Sequence, residues 1–481
     1  MERENLSTRN KALYINLNNS IYGSFAEIGA GQEVARNFFQ AGGASGTIAK
    51  TISAYDMTFS DSLYGKSKTG RYVDEERLTK MLNNEYQVIT DLLCAEKNNE
   101  TRYFAYSNTV AAINFKKDNY SHGWMGMKFQ LEPNSEPNEI LVHVGLLEKD
   151  NLQQQQTIGI LGVNLIYACY YYWKNIDWFI KSLLDELSID RVEINTIRIK
   201  GPQFENVDNR LLSVKLVKFG MTDATVFDSK GNIQMPADML YKKNVLALRG
   251  SFRPITYVGI DMMKTGFSLF KKDVAYTKEN TVVLSELTLN NLLQEGEVDE
   301  QDFLDRADIL CGMGQNVMIS NFREYYKLAS YFSRFKIQEL RLVTSSLTLV
   351  NILDENYYSN LKGGILEAFG ALFLKNVKLY IYPALQTNSN ELLQLNNIKV
   401  NNNLKLLLQY LIDNKKLVDI NNANIEKLSI FSHVVLQKIK NNEADWEEMV
   451  PMYIAEQIKL KKLFGYNLKE SKTRKIGCKK H

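Results

Sequence analysis

The sequence predicts an α/β protein of more than one domain, built from Rossmann-like parallel-sheet units and closed by a helical C-terminal segment. Three observations carry this. The chain has 481 residues, beyond the roughly 250–300 residues at which single cores stop growing. Short apolar runs at 12–17, 21–28 and 48–55 alternate with segments of helical period at 32–40 and 75–95, the pattern of βαβ units. Strand-then-helix order returns from about residue 280 and gives way after Asn401 to helical patterns alone.

Taken in order, residues 1–150 are expected to form a Rossmann-like domain, ending where Pro133 and Pro137 punctuate LEPNSEPNEI ahead of the Gln153–Gln156 tract. A second α/β domain is expected over 151–400, divisible near 275. It opens with a long aromatic helix over 161–187, then a strand at 192–199, a helix at 209–219 and a hairpin around Asp228–Asn232. Strands are expected at 245–248, 255–260, 282–287, 317–320, 340–344 and 377–382, with helices at 322–335 and 347–354. Residues 401–481 are expected to be a helical segment with a basic tail at Lys469, Lys472, Arg474, Lys475, Lys479 and Lys480.

Composition excludes several classes. Lys and Arg number 58 against 55 acidic residues, a net charge of +3, which provides no global field toward nucleic acid or membrane. The most apolar helix candidate, 161–173, is too short to span a bilayer. The polar start MERENLSTRNK has no apolar core of a secretory signal, so a cytoplasmic protein is expected. Cys94, Cys169, Cys311 and Cys478 form no Cys-x-x-Cys pair, which points to reduced thiols and no metal.

The strongest local signal is FAEIGAGQEVARNFFQAGG, where a strand ending in Glu27 runs into Gly29-Ala30-Gly31 and then a helix. Glycines let a backbone approach a ligand closely, and the helix start offers free N–H groups and a positive dipole end to an anion. Asp56, 25 residues after Gly31, ends the next strand candidate, where ribose hydroxyls are bound in dinucleotide sites. A tight turn with a packing role alone is the competing reading. Lys66, Lys68 and Arg71 in YGKSKTGRY form either a phosphate loop or a solvated one. Arg249 and Arg253 in LRGSFRP form either an anion clamp or a salt-bridged turn. The aromatic helix carrying Tyr167, Tyr170, Tyr171, Tyr172, Trp173 and Trp178 is either core or a subunit interface.

The N-terminal segment resembles the first motif of class I S-adenosylmethionine-dependent methyltransferases, in which a strand ends in acidic-x-Gly-x-Gly-x-Gly. That resemblance implies a cofactor held by Glu27, Gly29, Gly31 and Asp56. The third glycine position is Glu33, and the last position of the dinucleotide fingerprint is Val34. Over nearly its whole length the chain is similar to a family of cyanobacterial and Bacteroidetes proteins, through FAEIGAGQEVARNFFQAGGASGTIAKTISAYDM and LKGGILEAFGALF. Members bear automatic labels of nicotinate-nucleotide adenylyltransferase and TonB-dependent receptor. The first implies a His-x-Gly-His motif and the second a signal peptide with many alternating strands; this sequence shows neither.

Two function classes follow. One is a nucleotide- or phosphoanion-binding enzyme, a transferase using a nucleotide-like cofactor such as S-adenosylmethionine. The other is a non-catalytic binding or assembly protein that forms a homo-oligomer, favoured by the lack of a convergent His, Cys or carboxylate set.

Overall fold

The computed structural model describes residues 3–68, 70–93, 100–289, 299–386 and 391–467. The basic tail, Cys94 and Cys478 lie outside these residues. The chain divides into two compact units, 1–223 and 224–481, each containing helices and a sheet, as the α/β class requires.

The first unit holds a six-stranded sheet. Its elements are α1 (Thr8–Asn16), β1 (Ile21–Gly29), α2 (Glu33–Ala41), β2 (Ile48–Ile52), α3 (Met57–Tyr64), α4 (Glu75–Leu93), β3 (Arg102–Ala111), β4 (His122–Phe129), β5 (Asn138–Leu146), α5 (Asn151–Tyr171), α6 (Ile176–Ser182), β6 (Val192–Lys200) and α7 (Asn209–Lys218). The strand order is β2-β1-β3-β4-β5-β6. β2 and β3 flank β1 in parallel, and the remaining pairs are antiparallel. The boundary expected near residue 150 falls instead at 223, because β6 pairs with β5 along its length and α7 packs on β6.

Local chemistry explains other departures. Residues 12–16 of the apolar run 12–17 lie in α1, where Ser7 caps the helix by accepting from the Asn10 amide, and Ala12 and Ile15 share a buried face. The Gln tract is inside α5, because Asp150 caps that helix by accepting from Gln153 N. The long aromatic helix is two helices, broken before Asn175, which caps α6. Within α5, Tyr167 and Tyr170 are buried in the unit's own core. Gly162 lets α5 approach α2: a Cβ there would stand 2.4 Å from Val34 Cγ2.

The antiparallel half of the sheet brings together two residues with no sequence proximity. His122 Nδ1 and His143 Nε2 are 3.1 Å apart across β4 and β5, and His143 Nδ1 lies 2.9 Å from Asn195 Oδ1 on β6. The carboxamide oxygen can only accept, so His143 donates from Nδ1 and accepts from His122 at Nε2. Burial, with His122 beside it, lowers the His143 pKa to about 3.

The second unit holds an eight-stranded sheet. In chain order it contains β7 (Ala224–Phe227), β8 (Ile233–Gln234), α8 (Pro236–Leu240), β9 (Asn244–Arg249), α9 (Tyr257–Phe270), β10 (Thr281–Thr288), α10 (Glu300–Gly312), β11 (Asn316–Ser320), α11 (Tyr325–Ser333), β12 (Glu339–Ser345), α12 (Ser346–Ile352), α13 (Gly364–Leu372), β13 (Val377–Tyr382), β14 (Ala384–Leu385), β15 (Leu392–Leu393), α14 (Lys405–Asp413), β16 (Leu417–Asp419), α15 (Ser432–Asn441) and α16 (Met452–Lys461). The order is β16-β13-β12-β9-β10-β11-β7-β8. From β11 across to β16 every pair is parallel, and the hairpin of β7 and β8 adds an antiparallel edge. Numbered along the chain, those six parallel strands read 3-2-1-4-5-6, the Rossmann order.

Two expectations change here. Residues 257–260 of the expected strand at 255–260 are the start of α9, whose Met263, Gly266 and Phe270 recur at helical spacing on the buried face. The C-terminal segment is not helical throughout, since β16 extends the sheet beside β13. Among the described residues, Cys169 and Cys311 are buried and form no disulfide, no group of three His, Cys, Asp or Glu is suited to a metal, and no helix is long and apolar enough to cross a membrane.

The His143 environment has a pH signature. An unfolded histidine takes up a proton near pH 6.5, whereas the folded one resists to about pH 3, so the unfolded state binds more protons in that window and stability is lost as pH falls through it. Urea unfolding of the first unit at several pH values should show this loss, and His143→Gln should reduce it; an unchanged pH profile in the variant would mean that His143 titrates normally.

Candidate functional site

In the first unit the strand order reverses at β1, so a ligand crevice would open at the carboxyl ends of β1 and β3. The structure brings Glu27, Gly29 and Gly31 together at that place, in contact with β3. Glu27 is buried and accepts from Val34 N at 3.1 Å, Ala35 N at 3.2 Å and Asn108 Nδ2 at 3.3 Å. The chain's own carboxylate thus stands where an anion would meet the α2 N-terminus. Burial raises the Glu27 pKa to about 7, against the opposing pull of these donors.

Both glycines have packing reasons. Gly29 has φ of 76°, and a Cβ would lie 2.1 Å from the Val110 carbonyl oxygen; at Gly31 a Cβ would lie 1.8 Å from Asn108 Oδ1. Asn108 Nδ2 also donates to the Gly31 carbonyl at 2.9 Å. Asp56 is exposed outside this cluster and caps α3 by accepting from Phe59 N at 2.9 Å. Lys66, Lys68 and Arg71 are also exposed; the Lys66 carbonyl accepts from Lys80, and the Lys68 amide donates to Glu76.

In the second unit Arg249 ends β9 beneath the loop to α9. Its Nε and Nη2 donate to Glu286 of β10 at 2.6 and 2.8 Å, and the Tyr325 ring lies 4.7 Å from its guanidinium carbon. Ser320 of β11 donates to the same carboxylate at 2.5 Å. Burial opposes the Arg249 charge, but Glu286 more than offsets it, and the pKa is held above its usual value. Arg253 faces Asp302 at 3.2 Å, and Asp302 also pairs with Arg306, whose Nη1 donates to the Ser251 carbonyl. The two arginines therefore make a salt-bridged turn.

That turn is one wall of a cavity of about 250 Å³ at the carboxyl ends of β9, β12 and β13. The other walls come from the start of α9, from Ser345 at the end of β12 and Leu347 beyond it, from Tyr382 to Ala384, and from a strap at 428–432. It lies between β9 and β12, where the strand order reverses. Val258, Gly259 and Met262 of α9 line it, and Thr256 makes no side-chain capping bond to the helix start. Lys427 Nζ sits 3.7 Å from the centroid of Tyr257, the first residue of α9. Tyr382 donates to Asp261 at 2.6 Å, and the Asn424 amide donates to the same oxygen at 2.9 Å, tying the segment that leads into the strap to α9. The sequence marks this place only through Arg249 and Arg253; the rest of the site is hidden because the start of α9 reads as a β-rich run, although Met263, Gly266 and Phe270 recur at helical spacing.

Two outcomes follow from these contacts. Gly31→Ala should destabilise the first unit by about 1–3 kcal/mol through overpacking, and much less in an Asn108→Ala background; equal costs in both backgrounds would show that Asn108 does not impose the glycine. Glu286→Gln should cost about 3–5 kcal/mol in chemical unfolding of the second unit by leaving Arg249 buried without its counter-charge, and Arg249→Met with Glu286→Leu should recover most of that loss.

No protein-family model and no curated protein matches the chain. Among solved structures it is similar to the competence/damage inducible protein CihA from Agrobacterium tumefaciens, with 14% identity and a TM-score of 0.23 over 34% of this chain and 93% of that one. A CinA superfamily protein from Escherichia coli gives 10% identity and 0.24 over 34% and 88%. A competence or damage-inducible protein from Enterobacter asburiae gives 10% and 0.24 over 34% and 99%. Likenesses this slight carry no argument about activity or ligand.

Proposed function

We propose that this chain binds a nucleotide-like or other phosphoanion-bearing small molecule, and that the ligand sits in the second unit, at the cavity between β9 and β12, rather than at the Gly29–Gly31 turn. The observation that supports this is the conjunction of a cavity, a reversal of strand order and a helix start without a side-chain cap at one place. In the first unit the equivalent helix start is occupied by Glu27.

The cavity wall divides the ligand chemically. Phe252, Ile255, Val258, Met262, Leu347 and Phe431 offer apolar contact to a base or similar flat body. The α9 start would offer the phosphate end its N–H donors, and Lys427, outside the lining on the ring of Tyr257, would add positive charge near that helix start. At about 250 Å³ the cavity is smaller than the roughly 300–1,000 Å³ usual for such sites, so it takes one moiety rather than a whole dinucleotide. The polar lining is of hydroxyl and guanidinium groups, from Arg249, Ser251, Thr256, Ser345, Tyr382 and Ser432. That set suits holding a ligand, and a non-catalytic binding role is the second reading it supports.

A thermal-shift panel of ATP, NAD, S-adenosylmethionine and pyrophosphate tests the proposal, since a ligand that binds the folded state raises the melting temperature. At least one phosphate-bearing compound should do so. Gly259→Val should abolish the shift by filling the first turn of α9, Lys427→Ala should weaken binding by about 1 kcal/mol, and Asp56→Asn should leave it unchanged. If Asp56→Asn removes the shift and folded Gly259→Val keeps it, the site lies in the first unit.

A further inference from the structure

We propose that a second cavity on the carboxyl edge of the same sheet binds an uncharged polyhydroxylated ligand, a carbohydrate or cyclic polyol. It has a volume of about 360 Å³ and is walled by Arg323 and Glu324, which lead from β11 into α11, and by Asp354, Asn356, Tyr357 and Asn360 after α12. One wall is held in place, because the Arg323 carbonyl accepts from Arg249 Nη1 at 3.0 Å and Arg249 is locked to Glu286.

Charge decides the ligand class. Arg323 pairs with no carboxylate among the described residues, and its guanidinium carbon lies 5.9 Å from the Tyr357 ring centroid. Glu324 is held by Lys327 at 2.9 Å, and Asp354 is turned to the Asn356 amide at 3.0 Å. Lys327 is not part of the lining but meets the charge of Glu324, which leaves Arg323 and Asp354 as one charge of each sign on the cavity wall and no large net pull on an ion. What remains is a mixture of donors and acceptors: guanidinium, carboxylate and carboxamide groups. A sugar hydroxyl both donates and accepts, so it can be satisfied by such a set, whereas an apolar ligand would leave these groups without partners.

The aromatic ring supplies the other half of carbohydrate recognition. Tyr357 is 43% exposed at the cavity wall and presents a flat apolar surface to the C–H face of a sugar or inositol ring. The ring stands on the short helical turn 355–358, whose backbone is set by Asp354 at its cap.

Saturation-transfer NMR on the full chain tests this with glucose, maltose and myo-inositol, beside glucose 6-phosphate and gluconate. Saturable transfer from at least one neutral compound is expected, with maltose or glucose marking a carbohydrate site and myo-inositol a polyol site. Tyr357→Leu and Arg323→Met should each weaken that binding at least tenfold, and Asn360→Ala serves if either fails to fold. Gly259→Val should leave it unchanged, which separates this site from the phosphoanion cavity. The inference is overturned if no neutral compound gives saturable transfer, if the folded variants bind as wild type does, or if a charged analogue binds more than tenfold tighter than its neutral parent.

Discussion

The bidentate pair of Arg249 and Glu286 is the constraint on which the carboxyl edge of the second unit's sheet depends. It links the end of β9 to β10, engages Ser320 of β11, and holds the Arg323 backbone, so the loops bordering both cavities descend from one buried contact. A buried ion pair is a weak source of net stability, since desolvation cancels much of the attraction. Its effect is geometric: with Glu286 fully buried, the guanidinium has one low-energy position, and the loop from Gly250 to Thr256 must leave the sheet in one direction. Arg306 and Asp302 then hold the outer part of that loop.

The first unit uses the same grammar to a different end. A strand ends in an acidic residue, a glycine turn follows, and a helix begins, as in many nucleotide sites. Here the acidic side chain turns back on its own helix, bonding the Val34 and Ala35 amides, and Asn108 of β3 fills the space that Gly31 leaves. A glycine records only that something approaches the backbone closely; whether that is a ligand or the next strand is set by the partner. The second unit has the converse arrangement, since α9 starts on a cavity without a glycine fingerprint and Thr256 leaves the helix uncapped.

Several polar clusters exist only because strands meet. His122 and His143 are 21 positions apart and Asn195 is a further 52 on, and the antiparallel register of β4, β5 and β6 makes one hydrogen-bonded chain of them. The buried ammonium of Lys11 is likewise satisfied across the unit, by Asp185 at 2.6 Å and Asn164 at 2.8 Å. Such groups are costly to bury without partners, which places a strict condition on how α1 docks against α5 and α6.

The sequence by itself determined the α/β class, most strands of the second unit and the helix periods of α4 and α7, because apolar spacing reports which face of an element is buried. It also marked Glu27, Gly29, Gly31, Arg249 and Arg253 as either ligand-binding positions or constrained turns. Tertiary structure alone decided what the constraint was, since the partners Asn108, Glu286 and Asp302 come from other strands and helices and nothing local names them. It also decided the unit boundary, because β6 is assigned by its pairing with β5, and the location of the cavities, because an edge where strand order reverses is a property of the assembled sheet. Local patterns encode burial, whereas a crevice is formed by residues far apart in the chain, so its chemistry becomes legible only once the register is set.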